Sequence, residues 1–337
     1  MAAALAFALA SGAAAGAVPA QEEALIARAD TLLIAGRVFS AETLYYYAVR
    51  IAPRNPASRL ALGRYLAERG ALKVGAVLME EARYFGADPS LVARDLASVY
   101  ERLGDYGALA SLPASPLPYA ERARAEWLRA HPPTIVGPDS AAVPYRVSDS
   151  HLLGQVLLYI GGDTVLATID ARARGLVLDP AWMRRREVRR FASRTARDPS
   201  QVAGVTLAVR LGEFTLTNVP TTFARQRERG AGVIGLDLLG RFAPTFDPRF
   251  GRMLLRRDGR VEFGNRDFRI PTLTTAVGVQ VVKTETVFPL GHPDVQQYLR
   301  GARWTLDARR GTVIVNGDSP ASAARAGDQN QRRTRAR

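Results

Sequence analysis

The hydrophobic pattern of the first 130 residues repeats at a fixed interval. Two sets of small residues recur every 34 positions: Ala29, Gly63 and Ala97, and Gly36, Gly70 and Gly104. Small residues let two helices approach closely, and a glycine at a constant phase is typical of the turn between them. The pattern therefore predicts a row of paired antiparallel helices with each glycine of the second set in the same tight turn.

This period and its alternation of small and large residues resemble the tetratricopeptide repeat. The resemblance implies stacked helical hairpins over residues 21–131, with a concave surface for a peptide or protein partner. The third unit loses the pattern after Leu109, and Tyr119–Ala130 is predicted to form a helix that caps the stack. Generic helical hairpins packed against the next domain would give a similar pattern, and this alternative stays open.

The second half of the chain has the shorter period of β-strands. Val156–Ile160 and Thr164–Ile169 are apolar runs joined by the turn residues Gly161-Gly162, and the second run ends on Asp170. Leu207–Pro220 has a hairpin pattern, and Gly232–Phe242 gives two apolar residues, a glycine and a short helix before a final strand. Residues 132–144, rich in proline and small residues, are predicted to be a linker.

The order of these blocks resembles the retropepsin-like (gag-type) aspartyl protease family of bacteria, over about one third of the chain. The resemblance implies an all-β acid-protease lobe at 145–257, so the fold class is a multidomain α plus β protein. The segment Val233-Ile234-Gly235 would cross behind the active loop, within bonding distance of Asp170. The family motif DTGAxG corresponds here to Asp170-Ala-Arg-Ala-Arg-Gly175.

The catalytic motif is degenerate. Ala171 lacks the hydroxyl that braces two active loops in the family, and Arg172 replaces a glycine that tolerates positive φ. Arg172 and Arg174 also place cations near Asp170, which favours an ionised carboxylate over the shared proton of an aspartic dyad. We therefore expect a peptide- or protein-binding module that has lost hydrolytic activity. The alternative is an active endopeptidase that dimerises to pair Asp170 from two chains.

Residues 258–317 contain a second copy of the closing pattern. Leu290-Gly291, a short helical pattern and Trp304–Val315 follow the same order as Ile234–Gly251, with Asp307-x-Arg-x-Gly311 matching Asp247-x-Arg-x-Gly251. This predicts either a partial second lobe or a β extension in which ordinary turn chemistry has produced the same hairpin. The preceding stretch holds no Asp-Thr-Gly or Asp-Ser-Gly, so an intramolecular dyad is not expected.

Charge adds one further candidate. The formal net charge is +14, and a dense cluster contains Arg184, Arg185, Arg186, Arg189, Arg190, Arg194 and Arg197. A solvated surface is the simplest interpretation, but the cluster suggests a third hypothesis, a basic protein that binds an anionic polymer or anionic lipid. Because aromatic residues do not interleave with the arginines in the way that a single-stranded nucleic-acid surface requires, no nucleic acid is expected.

The remaining expectations concern the chain ends and absent chemistry. Residues 1–20 are small and apolar and end in Val18-Pro-Ala20, which predicts a signal peptide and a periplasmic or secreted protein with no transmembrane anchor after its removal. Residues 318–337 are predicted to form a disordered tail. The chain has no cysteine, and its three histidines lie in no ligand spacing. No metal is therefore predicted, and no cofactor.

Overall fold

The computed structural model describes residues 12–113, 117–147, 153–191, 201–226, 230–261, 264–275, 278–283 and 286–316. Part of the predicted signal peptide, the predicted tail, Arg194, Arg197 and His151 lie outside these ranges. The helices are α1 Gly12–Ile34, α2 Val38–Ile51, α3 Pro56–Glu68, α4 Leu72–Tyr84, α5 Pro89–Leu103, α6 Tyr106–Ala110, α7 Tyr119–Ala130, α8 Leu236–Leu239 and α9 Pro293–Arg300.

The first eight strands are β1 Thr134–Val136, β2 Ser140–Arg146, β3 Gln155–Ile160, β4 Asp163–Asp170, β5 Leu176–Leu178, β6 Val188–Arg190, β7 Gln201–Leu211 and β8 Phe214–Ala224. The later strands are β9 Gly232–Gly235, β10 Thr245–Asp247, β11 Arg252–Arg256, β12 Phe268–Thr275, β13 Gly278–Lys283, β14 Thr286–Pro289, β15 Trp304–Asp307 and β16 Thr312–Val315. The chain thus has helices first and a β-rich region second, as the mixed α plus β prediction requires.

The chain divides into two compact units. The first consists mainly of α1–α4 and α5 as far as Val99, and the second runs through Tyr100–Ser111, Leu117–Lys283 and from Val287 onward. Within the part of the chain that is described, no helix is both long enough and apolar enough to cross a membrane.

The predicted glycine turns are confirmed. Gly36, Gly70 and Gly104 all have positive φ, at 78°, 89° and 70°. In each turn the N–H of the following residue donates to the carbonyl five positions earlier, for example Arg37 to Leu32 and Ala71 to Leu66. This is the Schellman ending of a helix, which requires a left-handed residue that glycine supplies without strain.

Helix α7 lies in the second unit rather than at the end of the helical stack, which corrects the prediction of a capping helix. Its Arg124 is buried, donates to the Thr221 carbonyl of β8 at 3.4 Å and pairs with Glu101 at 3.1 Å. Residues 132–144 also differ from a plain linker, because they contain β1 and most of β2. Strand β2 alternates exposed and buried residues along its length and pairs with β11.

Six strands of the second unit close into a barrel. The order is β3–β4–β9–β5–β8–β7, and Tyr159 of β3 opposite Arg210 of β7 completes the ring. Strand β4 runs parallel to β9, while its other neighbour, β3, is antiparallel. Side chains alternate between the two faces of a strand, so Val165, Ala167 and Ile169 of β4 lie in the barrel interior. Asp170, the last residue of β4, falls on the outer face.

A second sheet has the order β2–β11–β10–β15–β16–β12. Its two halves, β2–β11–β10 and β12–β16–β15, have the same arrangement of strands. Asp247 pairs with Arg252 across one hairpin, and Asp307 pairs with Thr312 across the other. The glycines that end the two turns, Gly251 and Gly311, have φ of 58° and 57°.

The flanking strands of this sheet follow the same rule. Pro144 of β2 lies opposite Arg252, and Pro271 of β12 lies opposite Thr312. The next residues, Tyr145 and Thr272, donate to the carbonyls of Gly251 and Gly311 at 2.9 and 2.8 Å. Equivalent residues are therefore paired in the two three-stranded halves.

The halves meet at β10 and β15. Thr245 lies opposite Thr305 with hydroxyl oxygens 2.7 Å apart, and Phe246 lies opposite Trp304 with ring centroids 4.1 Å apart. All four side chains are buried, so this contact belongs to the core of the unit.

Candidate functional site

Asp170 lies at the end of β4, beside the segment predicted to cross behind it. The parallel pairing of β4 with β9 sets Thr168 opposite Val233, Ile169 opposite Ile234 and Asp170 opposite Gly235. The predicted contact between Asp170 and this segment is confirmed.

The Asp170 carboxylate is occupied by its own loop. Its Oδ1 accepts a hydrogen bond from the backbone N–H of Arg172 at 2.8 Å, the geometry of an Asx turn. The Nε of Arg172 lies 3.9 Å from the same oxygen, but the Arg172 side chain is 76% exposed, so this ion pair is weak. Within the described residues, every hydrogen bond and ion pair of the Asp170 carboxylate goes to Arg172.

The loop differs from two expectations. Arg174 does not approach Asp170, because its guanidinium pairs with Glu101 at 3.7 Å. Nor does Arg172 adopt positive φ, since the described non-glycine residues with positive φ are Asn218 and Ala243. The left-handed residue of this loop is Gly175, with φ of 60°. The arginine therefore fits without the backbone strain that the motif comparison predicted.

Ala171 is buried beneath β13. Its carbonyl accepts a hydrogen bond from the N–H of Val279 at 3.0 Å. The neighbouring Gly278 has φ of 104°, and a Cβ there would lie 2.4 Å from the Ala171 oxygen. Only glycine permits this approach, so part of the 258–317 region closes one side of the Asp170 loop.

Asp237 braces the other end of the loop, a role that sequence reasoning missed. Both of its carboxylate oxygens accept from the N–H of Gly175 at 2.9 Å, and Oδ1 also accepts from Leu238 at 2.8 Å. Gly235 donates to the Gly175 carbonyl at 2.8 Å, and a Cβ at Gly235 would lie 2.4 Å from both the Ala173 oxygen and Asp237 Oδ1. The sequence signal for this role was an aspartate two residues after the glycine of Val233-Ile234-Gly235.

A small cavity of about 50 Å³ adjoins this brace. Seven of its lining residues are polar: Glu101, Tyr106, Arg124, Arg174, Thr222, Asp237 and Arg241. Burial raises the pKa of the Asp237 carboxyl, against the lowering effect of the Gly175 and Leu238 N–H groups and of Arg241. Burial likewise raises the pKa of Glu121 nearby. The lining holds three guanidiniums and two carboxylates, and the space is far too small for a peptide.

The basic cluster lies on a 3₁₀ turn, Pro180–Arg184, and on β6. Arg185 pairs with Asp163 at 2.8 Å and its guanidinium covers the Trp182 ring. Arg184, Arg186 and Arg190 are exposed and have no partner among the described residues. The structure brings the Asp170 loop together with Val233–Gly235. Among the described residues, no hydrogen bond or ion pair links that loop to the arginines of the basic cluster.

Aromatic rings contact Arg189 of the basic cluster. The Arg189 guanidinium lies 5.4 Å from the Trp127 ring centroid and 5.8 Å from that of Phe191. His131 stacks on Trp127 at 4.3 Å with an interplanar angle of 10°. Trp127 belongs to α7, so the contact spans 62 residues of sequence and no local pattern could show it.

Comparisons with known proteins give a limited result. No model of a known protein family matches the chain, and a search of curated proteins gives no match. Among solved structures, a retropepsin-like aspartic protease from Rickettsia conorii matches with a TM-score of 0.26 and 12% sequence identity, over 36% of this chain and 90% of that one. The similarity is weak.

Proposed function

We propose that the protein is an exported, retropepsin-like aspartyl-protease-family protein whose lobe is catalytically degenerate and whose function is to bind a peptide or a protein. The observation that carries the proposal is the Asp170 loop. Its carboxylate holds the Arg172 N–H, and its neighbour Ala171 is buried against β13.

Aspartic-protease chemistry needs more than this loop supplies. Two carboxylates about 3 Å apart must share one proton, so that one can act as base and the other as acid. Among the described residues, the hydrogen-bond and ion-pair partner of the Asp170 carboxylate is Arg172, not a second carboxyl group. A loop organised in this way provides one of the two carboxylates that the reaction needs.

We further propose that residues 258–317 are a partial second lobe. The matching registers of the β10–β11 and β15–β16 hairpins, and of Pro144 and Pro271, support this. Val279 and Gly278 then occupy the side of the Asp170 loop where a second active loop would approach. The lobe is completed within one chain, which argues against a dimer that pairs two copies of Asp170.

The helical unit fits a scaffold of tetratricopeptide type. The equivalent turns at Gly36, Gly70 and Gly104 support stacked hairpins of constant length. Such stacks present extended surfaces to peptides. Because residues 1–20 are small and apolar, as in a signal peptide, we also propose that the protein works in the periplasm or outside the cell.

Hydrolysis is the direct test. The wild-type chain and Asp170→Asn are incubated with unfolded casein at pH 4 and pH 7, with and without pepstatin. We expect no pepstatin-sensitive cleavage by either protein, and none from Ala171→Thr/Arg172→Gly, since no second aspartate is supplied. Cleavage by the wild type that disappears in Asp170→Asn would replace this proposal with an active dimeric endopeptidase.

A further inference from the structure

One surface of the second unit is separate from the Asp170 loop. It has two parts. The first is a cluster of four side chains, His131, Trp127, Arg189 and Phe191, which we call the arginine ladder. The second is the backbone of the edge strand β6, which carries Arg189. His131 stacks on Trp127, and Arg189 lies against both Trp127 and Phe191. A guanidinium held in this way has lost much of its freedom before any ligand arrives.

Arg189 keeps its hydrogen-bonding capacity in the ladder. It is exposed, and none of the described carboxylates lies within ion-pair distance of it. Contact with ring faces is electrostatically favourable and leaves N–H donors at the guanidinium edge for a carboxylate or phosphate. The ladder is therefore a preorganised receptor for one anionic group.

Strand β6 offers a backbone edge beside that receptor. It ends the sheet and pairs with β7 alone among the described strands, with Arg189 opposite Val205. An open edge of this kind can receive an extended peptide as an added strand. Arg184, Arg186 and Arg190, exposed and without described partners, give the edge a strong positive charge.

We propose that this surface binds an acidic segment of an extended polypeptide, which adds along β6 and places a carboxylate on Arg189. The inference rests on the proposed binding function and names its ligand class. Charge complementarity selects an acidic ligand, and the strand edge selects a peptide. A single-stranded nucleic acid would need open ring faces for its bases, whereas Trp127 is already stacked by His131 and contacted by Arg189.

The test uses three labelled eight-residue peptides, in which valine alternates with glutamate, glutamine or lysine, and measures binding to the full chain by fluorescence anisotropy. We expect the glutamate peptide to bind at least tenfold more tightly than the other two. Arg189→Gln and Arg189→Lys should each weaken that binding about tenfold, because a charge-assisted bidentate contact is lost. Lysine keeps the charge but not the planar fork.

Arg210→Lys is the matched control. Arg210 also lies over a ring, 4.4 Å from the Tyr159 centroid, but five positions further along β7 than the residue opposite Arg189. We expect its affinity for the glutamate peptide to equal that of the wild type. Thermal melting of each variant shows whether a loss of binding reflects a loss of folding.

Three results would overturn the inference. The first is an Arg189→Lys variant that is folded and binds as tightly as the wild type. The second is tighter binding of a thymidine oligonucleotide or of anionic phospholipid vesicles than of the glutamate peptide. The third is equal affinity for all three peptides, which would leave the proposed binding function standing. Pepstatin-sensitive cleavage of casein would instead defeat the proposed function and leave the ladder intact.

Discussion

The two halves of the second sheet share a register but differ in what they support. Strands β2, β11 and β10 continue into a barrel that carries Asp170, while β12, β16 and β15 continue, among the described strands, into β13 and β14. Both halves keep the hairpin with its aspartate and its left-handed glycine. The second half thus has the same three-stranded pattern, and among the described strands it does not continue into a barrel.

The Asp170 loop is fixed by backbone contacts on both of its sides. Its backbone is held by Val279 on one side and by Asp237 on the other. If the halves form one cooperative unit, changes at their junction should matter most and changes at the exposed Arg172 should matter least.

The largest effect is expected at the stacked pair between the halves. Trp304→Ala and Phe246→Ala each remove a buried ring. Each should lower the free energy of unfolding by about 3–5 kcal/mol in a denaturant titration followed by circular dichroism. The double variant should lose less than the sum, because the two rings contact each other. The exposed Phe250→Ala, a control, should change it by less than about 0.5 kcal/mol.

An unchanged unfolding curve for Trp304→Ala would mean that the second half is a detachable extension. Loss of stability confined to a separate transition would lead to the same conclusion.

A smaller effect is expected where β13 covers the loop. Gly278→Ala should lower the free energy of unfolding by about 2–3 kcal/mol, because it adds strain at positive φ and pushes a Cβ toward the Ala171 oxygen. Gly162→Ala is the matched control, since Gly162 has φ of 90° with no atom within 4 Å of an added Cβ. It should cost about 1 kcal/mol. Equal costs at the two positions would show that β13 does not pack tightly on Ala171.

The brace at Asp237 predicts a pH effect. Because burial raises the pKa of this carboxyl, its favourable contribution is full below the unfolded pKa, near 3.9, and is lost as pH rises through the folded value. Asp237→Asn still offers an oxygen to Gly175, so it should flatten this decline in the free energy of unfolding. Asp237→Ala leaves the Gly175 N–H unpaired and should cost about 1–3 kcal/mol. A wild type and Asp237→Asn with parallel pH profiles would contradict the assignment.

The smallest effect is expected at the loop surface. Arg172→Ala removes a side chain that is 76% exposed, and should change the free energy of unfolding by less than about 0.5 kcal/mol. Asp170→Ala removes the acceptor for the Arg172 N–H and should cost about 1 kcal/mol. If Arg172→Ala were the more damaging of the two in thermal melts, the ion pair would matter more than the Asx turn.

The sequence predicted the features that depend on local geometry. A glycine at constant phase required the same helix ending three times, and the β-branched run before Asp170 predicted the strand that pairs with Val233–Gly235. Strand β2 was missed because Ser140–Arg146 is rich in small residues and contains Pro144, which suggested a linker. Its register becomes apparent only once β11 supplies a partner.

The contacts that define the site were less predictable. Asp237 lies 62 positions after Gly175, and Arg189 lies 62 positions after Trp127, so both contacts depend on how the strands and α7 pack. The family motif indicated backbone strain at Arg172 only if the loop kept the shape that a glycine allows, and it does not. The actual loop places its left-handed conformation at Gly175.

One measurement tests most directly the claim that the second unit is completed by its own second half. Thr245 and Thr305 lie opposite each other with hydroxyl oxygens 2.7 Å apart, and the chain contains no cysteine. In Thr245→Cys/Thr305→Cys, side chains at this spacing can form a disulfide. After oxidation, non-reducing electrophoresis and intact mass should show a monomer with one internal bond, and Thr245→Cys alone should show none. Disulfide-linked dimers, or a pair of thiols that stays free in the folded protein, would contradict the account.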